Sequence, residues 1–274
     1  MLKEHQEINL ISYKNTPTIN YETKSIMQID KDIFKDIDTG IPNFIENDYP
    51  LDWSMTRNES YCLVKLLEKI KPKIAIEIGV YNGGSLQVLS LNSKKVYAID
   101  IDPSVKERLK NNFNNVEFLI GDSKIIVPKL IKELQKNNES LEFALIDGDH
   151  SELGVKSDLE NILNYTPLKS LNIILHDSFN PTCRKGMKSI NYNNNEHIHY
   201  VELDYISGVY EPDGLKKEMW GGFAHVVLLK DIRKGKLLVH QSQEKIFNIA
   251  YLHSKHFLQN KLRFLKPIIK LIRK

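Results

Sequence analysis

Residues 75–85 read AIEIGVYNGGS: apolar residues flank a single acid, and three glycines then fall within six positions. With the preceding lysine and isoleucine, "KIAIEIG" (73–79) is a short run rich in β-branched residues that stops at glycine. An apolar run this continuous predicts a strand buried on both faces, as in a parallel sheet. Glycine tolerates positive φ and lets the backbone approach another group closely. The stretch therefore predicts a buried strand, a tight loop, and a helix starting near Gly84-Ser85.

The same grammar repeats downstream. "KVYAID" (95–100), "NVEFLIG" (115–121), "LEFALID" (141–147) and "LNIILHD" (171–177) are strand-like, and each ends at Gly or Asp. Between them lie "GSLQVLSLN", "PSVKERLKNNF", "SKIIVPKLIKELQKN" and "ELGVKSDLENILNY", all with helical character. Pro103 suits a first helical turn. Thr56-Arg57-Asn58-Glu59 has the capping-box pattern, so a further helix precedes the first strand. "HIHYVELDY" (197–205) and "FAHVVLLKD" (223–231) are two later strands, expected to close the sheet as a hairpin-like edge. Alternating β and α predicts an α/β, doubly wound, mostly parallel sheet of about seven strands with the last one antiparallel. The expected organisation is an N-terminal extension at 1–55, a core domain at 56–232 and a basic amphipathic tail at 233–274.

The 274 residues are 41% hydrophobic and 27% charged, the composition of an ordinary soluble protein. The N-terminus, MLKEHQEINL, lacks the apolar run of a signal peptide, and no run reaches the length of a membrane span. Cys62 and Cys183 are far apart and in no metal-ligand spacing, which suits a reducing cytoplasm. The formal charge of +3 conceals seven Lys or Arg and no acid between Lys255 and Lys274, leaving −4 on the rest. A weakly acidic body argues against nucleic acid as the partner.

In open α/β sheets, ligands bind beyond the carboxyl ends of the strands near the switch in strand order. The glycine loop lies at that edge. A dinucleotide fingerprint would read G-x-G-x-x-G, and a phosphate loop would end in Gly-Lys-Ser/Thr. Here the spacing is G-x-x-x-G-G, two residues after an acid. Glu77 is a poor neighbour for pyrophosphate and a good one for a cationic ligand.

"EIGVYNGGS" resembles the first motif of class I S-adenosylmethionine-dependent methyltransferases, of the form E/D-x-G-x-x-x-G. "YAIDIDP" resembles their second motif and "LIGDS" their third, in the same order. The resemblance spans roughly Thr56 to Asp231. It implies an S-adenosylmethionine site in which Glu77 and the backbone of Gly79 face the methionine part, with Tyr81, Gly83 and Ser85 also binding the cofactor. It also implies Asp100 on the ribose hydroxyls, Asp122 near the adenine, and Asp147 beside the cofactor. A carboxylate that accepts two hydrogen bonds is chemically suited to paired hydroxyls. Helix capping is the competing role for both Asp100 and Asp122.

Two more strand ends carry acids: Asp147-Gly148-Asp149-His150 and His176-Asp177-Ser178. Carboxylates brought together here repel unless protonated or bridged by a cation. "IDGDHS" and "ILHDSF" resemble the metal-dependent sugar O-methyltransferase subgroup of macrolide-sugar and surface-glycan type. That resemblance implies Mg²⁺ or another divalent metal on Asp147, His176 and Asp177, with His150 as catalytic base and Asp147 as alternative base. His176 departs from the acidic pair of that subgroup, which leaves a softer ion or no ion open.

The acceptor is expected under the segments after the fifth strand, where Tyr205, Tyr210 and Trp220 suit stacking on a sugar and Arg184 or Lys185 an anionic group. In the tail, Leu258, Leu262, Leu265, Ile269 and Ile272 form one helical stripe, divided near Pro267, suited to an anionic membrane, to its own domain or to a second subunit. The sequence as a whole predicts a cytoplasmic S-adenosylmethionine-dependent O-methyltransferase of a sugar or glycan hydroxyl, with peripheral contact at the inner membrane face and homo-oligomerisation as further expectations. The alternatives are methylation of a phenolic or other small metabolite, or a non-catalytic binding subunit of a glycan-assembly complex.

Overall fold

The computed structural model describes residues 49–211 and 217–261. The expected N-terminal extension up to residue 48, and the tail stripe beyond Lys261 with Pro267, lie outside the described residues.

Thr56 caps helix α1 (Arg57–Ile70) with the reciprocal capping box that its sequence predicts: its side chain accepts from Glu59 N, and the Glu59 side chain accepts from Thr56 N. Five β-α units follow. Strand β1 (Ile74–Ile78) leads to α2 (Gly84–Asn92), β2 (Lys95–Asp100) to α3 (Pro103–Leu109), and β3 (Val116–Ile120) to α4 (Ser123–Lys136). Strand β4 (Leu141–Ile146) leads to α5 (Glu152–Leu163), and β5 (Leu171–His176) to α6 (Pro181–Lys188). The chain then forms β6 (Ile198–Ile206), β7 (Val209–Glu211), β8 (Glu218–Trp220), β9 (Phe223–Leu228), β10 (Val239–His240), α7 (Glu244–His253) and α8 (Lys255–Lys261).

Eight strands form one sheet in the order β10-β6-β9-β5-β4-β1-β2-β3. β9 runs antiparallel between β5 and β6, and the remaining neighbours are parallel. The doubly wound sheet is therefore as the sequence predicts, and 197–205 and 223–231 do pair antiparallel. The two-residue edge strand β10 and the separate β7–β8 ribbon are additions that carry too few residues to show a period. The order reverses at β1, which pairs with β2 on one side and β4 on the other. That is the switch point where such sheets open a crevice.

All residues of β1 and β4 are buried, as continuous apolar strands covered on both faces should be. The core runs through Ile76, Ile99, Leu134, Ala144, Leu159, Ile173 and Val226. Tyr165 pins the amino end of β4: its hydroxyl accepts from Leu141 N (3.0 Å) and donates to Glu139 O (2.7 Å). No helix among the described residues is long and apolar enough to cross a membrane.

Replacing Tyr165 by Phe leaves Leu141 N buried without its acceptor. The expected loss is about 1–3 kcal/mol in urea denaturation, and an unchanged midpoint would show that water takes over the acceptor's place.

Candidate active site

The glycine loop is shaped by packing rather than by ligand. Gly79 has φ +85°, and a Cβ there would lie 2.2 Å from the Asp147 carbonyl oxygen. β1 and β4 thus approach at their carboxyl ends more closely than any side chain allows. Asp147 N donates to Ile78 O (2.8 Å), which fixes the same junction. Gly83 sits at φ +84° as the N-cap residue of α2. The opposite wall of the loop is Asp100, whose Oδ2 accepts from Val80 N (2.9 Å) and Tyr81 N (3.2 Å) and whose Oδ1 accepts from Asp102 N (2.9 Å). Arg108 closes the loop from outside through Asn82 Oδ1 and the Tyr81 carbonyl.

A cavity of about 520 Å³ opens over the carboxyl ends of β1–β4, within the range of small-molecule sites. Gly79, Tyr81, Ser85, Asp100, Asp122 and Asp147 line it; Glu77 and Gly83 do not. The cap of α3 is Asp102, not Asp100, so capping does not account for Asp100. Asp122 does cap α4, accepting from Lys124 N (2.9 Å), while lining the cavity. Asp52, Ser54 and Met55 form part of the rim. They precede α1 in chain without strong period, so sequence reasoning assigned them to the extension. Their place is fixed by Gln87 of α2, which exchanges hydrogen bonds with Leu51 N (3.0 Å) and Leu51 O (3.1 Å).

Glu77 is fully buried beneath the loop and accepts from Ser85 Oγ, leaving Oε2 without a partner. Burial, reinforced by the Asp147 and Asp100 carboxylates, pushes its pKa up to about 8. At neutral pH it is a protonated acid that holds Ser85, rather than a free anion.

At the next strand ends, five titratable side chains meet. His176 at the end of β5 donates through Nδ1 to Asp147 Oδ1 (2.8 Å) and through Nε2 to Glu59 Oε1 (3.1 Å). Carboxylates only accept, so this ring carries both protons. Burial alone would lower its pKa; Asp147 and Glu59 outweigh that and raise it well above the ordinary value. Glu59 is itself wholly buried, with Gly222 N also donating to Oε1. His150 lies between the other two acids, with Nε2 on Asp147 Oδ1 (3.2 Å) and Nδ1 on Asp177 Oδ2 (3.1 Å). The hydrogen bond to Asp147 is the main cause of its raised pKa, with the Asp177 charge assisting. Asp147 is disfavoured by burial, yet the two imidazoles hold it below the usual carboxylate range. Asp177 takes φ +59°, a left-handed conformation uncommon for a non-glycine residue, and accepts from Gly221 N.

The gap between Asp147 and Asp177, where a bridging cation was expected, is spanned by the His150 imidazole. The ligand set Asp147, His176 and Asp177 does not fit a divalent ion in this arrangement, because both nitrogens of the His176 ring are committed to carboxylates and the ring is buried, with no room to turn towards an ion. Two contributors were not found in the sequence. Glu59 reads locally as a capping residue, which it also is. The Gly221–Gly222 turn lies after the fifth strand, and nothing in its sequence marks its amides as partners of Asp177 and Glu59.

Among the residues expected on the acceptor side, Arg184 is not free for an anionic ligand. It is buried, paired with Asp204 (2.7 Å) and Glu244 (2.7 Å), and lies over the Phe247 ring. Tyr210 donates to His253 O (3.0 Å), and Tyr205 packs against the His225 ring, 4.7 Å between centroids.

S-Adenosylmethionine fits the switch-point cavity on three counts: its volume, the remaining acceptor capacity of Asp100, and the backbone exposed by Gly79.

Replacing Glu77 by Gln tests the protonated acid. The native state binds the Glu77 proton up to about pH 8 and the unfolded chain only to near 4.5. This group's contribution to stability is fully present below pH 4.5 and falls by roughly 1.4 kcal/mol per pH unit as pH rises towards 8. The difference in melting temperature between wild type and variant should slope across that window. A flat difference would place Glu77 among ordinary acids.

Residues 76–178 match a family described as a methyltransferase domain. Among solved structures, the chain is similar to an O-methyltransferase from Bacillus cereus in complex with SAH, at 12% identity, with 74% of this chain and 96% of that chain covered and a TM-score of 0.49. A putative O-methyltransferase from Klebsiella pneumoniae matches at 14% identity over 74% of this chain and 97% of that one, with a TM-score of 0.46. A putative RNA methyltransferase from Pyrococcus horikoshii matches at 13% identity over 65% and 86%, with a TM-score of 0.43. The segment 76–178 that matches this methyltransferase domain carries β1–β5 of the doubly wound sheet and most of the residues that line the cavity at its switch point.

Proposed function

We propose that the protein transfers a methyl group to a hydroxyl of a small acceptor, of the sugar or glycan class, with His150 as general base. The observation that carries this reading is the position of His150: half-exposed, next to the cofactor cavity, and held between Asp147 and Asp177.

Bound in the cavity, S-adenosylmethionine supplies an activated sulfonium methyl. Asp100 would hold the ribose hydroxyls, Asp122 the adenine end, and the Gly79–Ser85 loop the methionine end. A sugar hydroxyl titrates far above neutrality, so attack on the methyl would gain from removal of its proton as the C–O bond forms and the methyl–sulfur bond breaks, the electron pair staying on the departing thioether. His150 suits that step once it is neutral and one of its two carboxylate contacts is exchanged for the acceptor hydroxyl. The proton then comes to rest on an imidazole that two carboxylates stabilise. Asp147 is the weaker candidate, since a carboxylate held below its usual range is a poor base. Its role is to orient His150. The sugar acceptor is supported by the resemblance of "IDGDHS" and "ILHDSF" rather than by a visible sugar subsite. Assistance by Mg²⁺ would require His150 to leave both carboxylates, and no step here depends on it.

Replacing His150 by Ala should lower kcat by about 10²–10⁴, while calorimetry finds S-adenosylmethionine affinity changed only a few-fold. Asp100→Ala should show the opposite split, losing at least about tenfold in affinity (1.4 kcal/mol or more). Because the base acts unprotonated and its pKa is raised, wild-type kcat/KM should climb with pH through a value above 6.5. A wild-type profile flat in that region, or matched by His150→Ala, would remove His150 from the mechanism.

A further inference from the structure

Cys183 has no part in the mechanism above, yet it lies in the first turn of α6 directly behind His150 and Asp177. A ring nitrogen of His150, a carboxylate oxygen of Asp177 and Cys183 Sγ lie within 4.8 Å of one another. Around a tetrahedral ion with bonds of roughly 2.0–2.3 Å, ligand atoms stand about 3.5 Å apart. Closing the set asks for about an ångström of movement. His150 can supply it, being 48% exposed on the loop between β4 and α5.

We propose that His150, Asp177 and Cys183 form a binding site for a zinc-type divalent cation, and that its occupancy takes His150 out of acid–base service. The donor set is one imidazole nitrogen, one sulfur and one carboxylate oxygen. Magnesium and calcium demand oxygen shells; zinc and its analogue cobalt accept this mixture. The surroundings agree. His150 faces Asp177 through Nδ1 and gives Nε2 to Asp147, so a metal on Nδ1 would have the outer carboxylate that commonly orients a ligating histidine. Cys183 makes only a weak contact to the His150 carbonyl (3.6 Å). Three carboxylates against two imidazoles leave the Glu59–Asp147–Asp177 cluster at −1 even with both rings protonated. On binding, the thiol proton passes to solvent and the sulfur takes the metal as thiolate. The inhibitory half of the proposal rests on His150 being the base; the binding half does not.

The test is a Co²⁺ titration of chelator-treated, full-length protein, read by absorbance. The expected result is one equivalent of tetrahedral Co²⁺ with a thiolate charge-transfer band, displaced by Zn²⁺. Cys183→Ser should abolish that band and Cys62→Ser should keep it. His150→Ala, on an exposed side chain, should weaken binding at least about tenfold without touching the fold. No thiolate band in wild type, or the same band in a folded Cys183→Ser, overturns the site. In parallel, Zn²⁺ should inhibit methyl transfer by wild type, with the inhibition constant at least tenfold weaker in Cys183→Ser. Binding without inhibition overturns the regulatory half alone. A metal-free wild type that transfers no methyl overturns the proposed function and leaves the binding result standing.

Discussion

The buried His176 imidazolium ties together three segments far apart in the chain: the first turn of α1, the end of β4 and the end of β5. A charge this deep is costly unless each proton meets an acceptor. Here Glu59 and Asp147 supply both acceptors, and the ring in turn keeps them ionised. Because Asp147 is held on its Oδ1 by His176, that atom also becomes the fixed point on which His150 turns. The position of His150 beside the cavity therefore depends on a buried ring, His176, that does not itself line the cavity.

The same logic of one group serving two neighbours recurs. Asp100 shapes the glycine loop and lines the cavity, Asp122 caps a helix and lines the cavity, and Glu59 caps a helix and holds His176. Local role and site role are not alternatives in this protein. A cap places a carboxylate at a helix N-terminus, and in a doubly wound sheet helix N-termini face the crevice.

This explains what the chain alone discloses. β1, β2, β4 and β5 were legible because buried parallel strands write themselves as near-continuous apolar runs, and β3, a half-buried edge strand, because it keeps a shorter one. Asp100 and Asp147 were legible because each closes such a run. Glu59 was not, since its partner His176 lies 117 positions away and its local pattern was already complete as a capping box. That Asp147 and Asp177 would come close followed from the strand order, but that an imidazole fills the gap did not. The bridge by His150 depends on a side-chain direction in a short loop. Residues 49–55 show no period because they are held by Gln87 and the start of α2, not by a pattern of their own.

Asp100 presents four lone-pair directions, and loop amides occupy three of them. The loop is therefore rigid before any ligand arrives, and the entropy of ordering it belongs to folding rather than to binding. What Asp100 leaves for the ligand is narrow: one acceptor direction. A receptor built this way discriminates by the placement of a hydroxyl, not by closing around its guest.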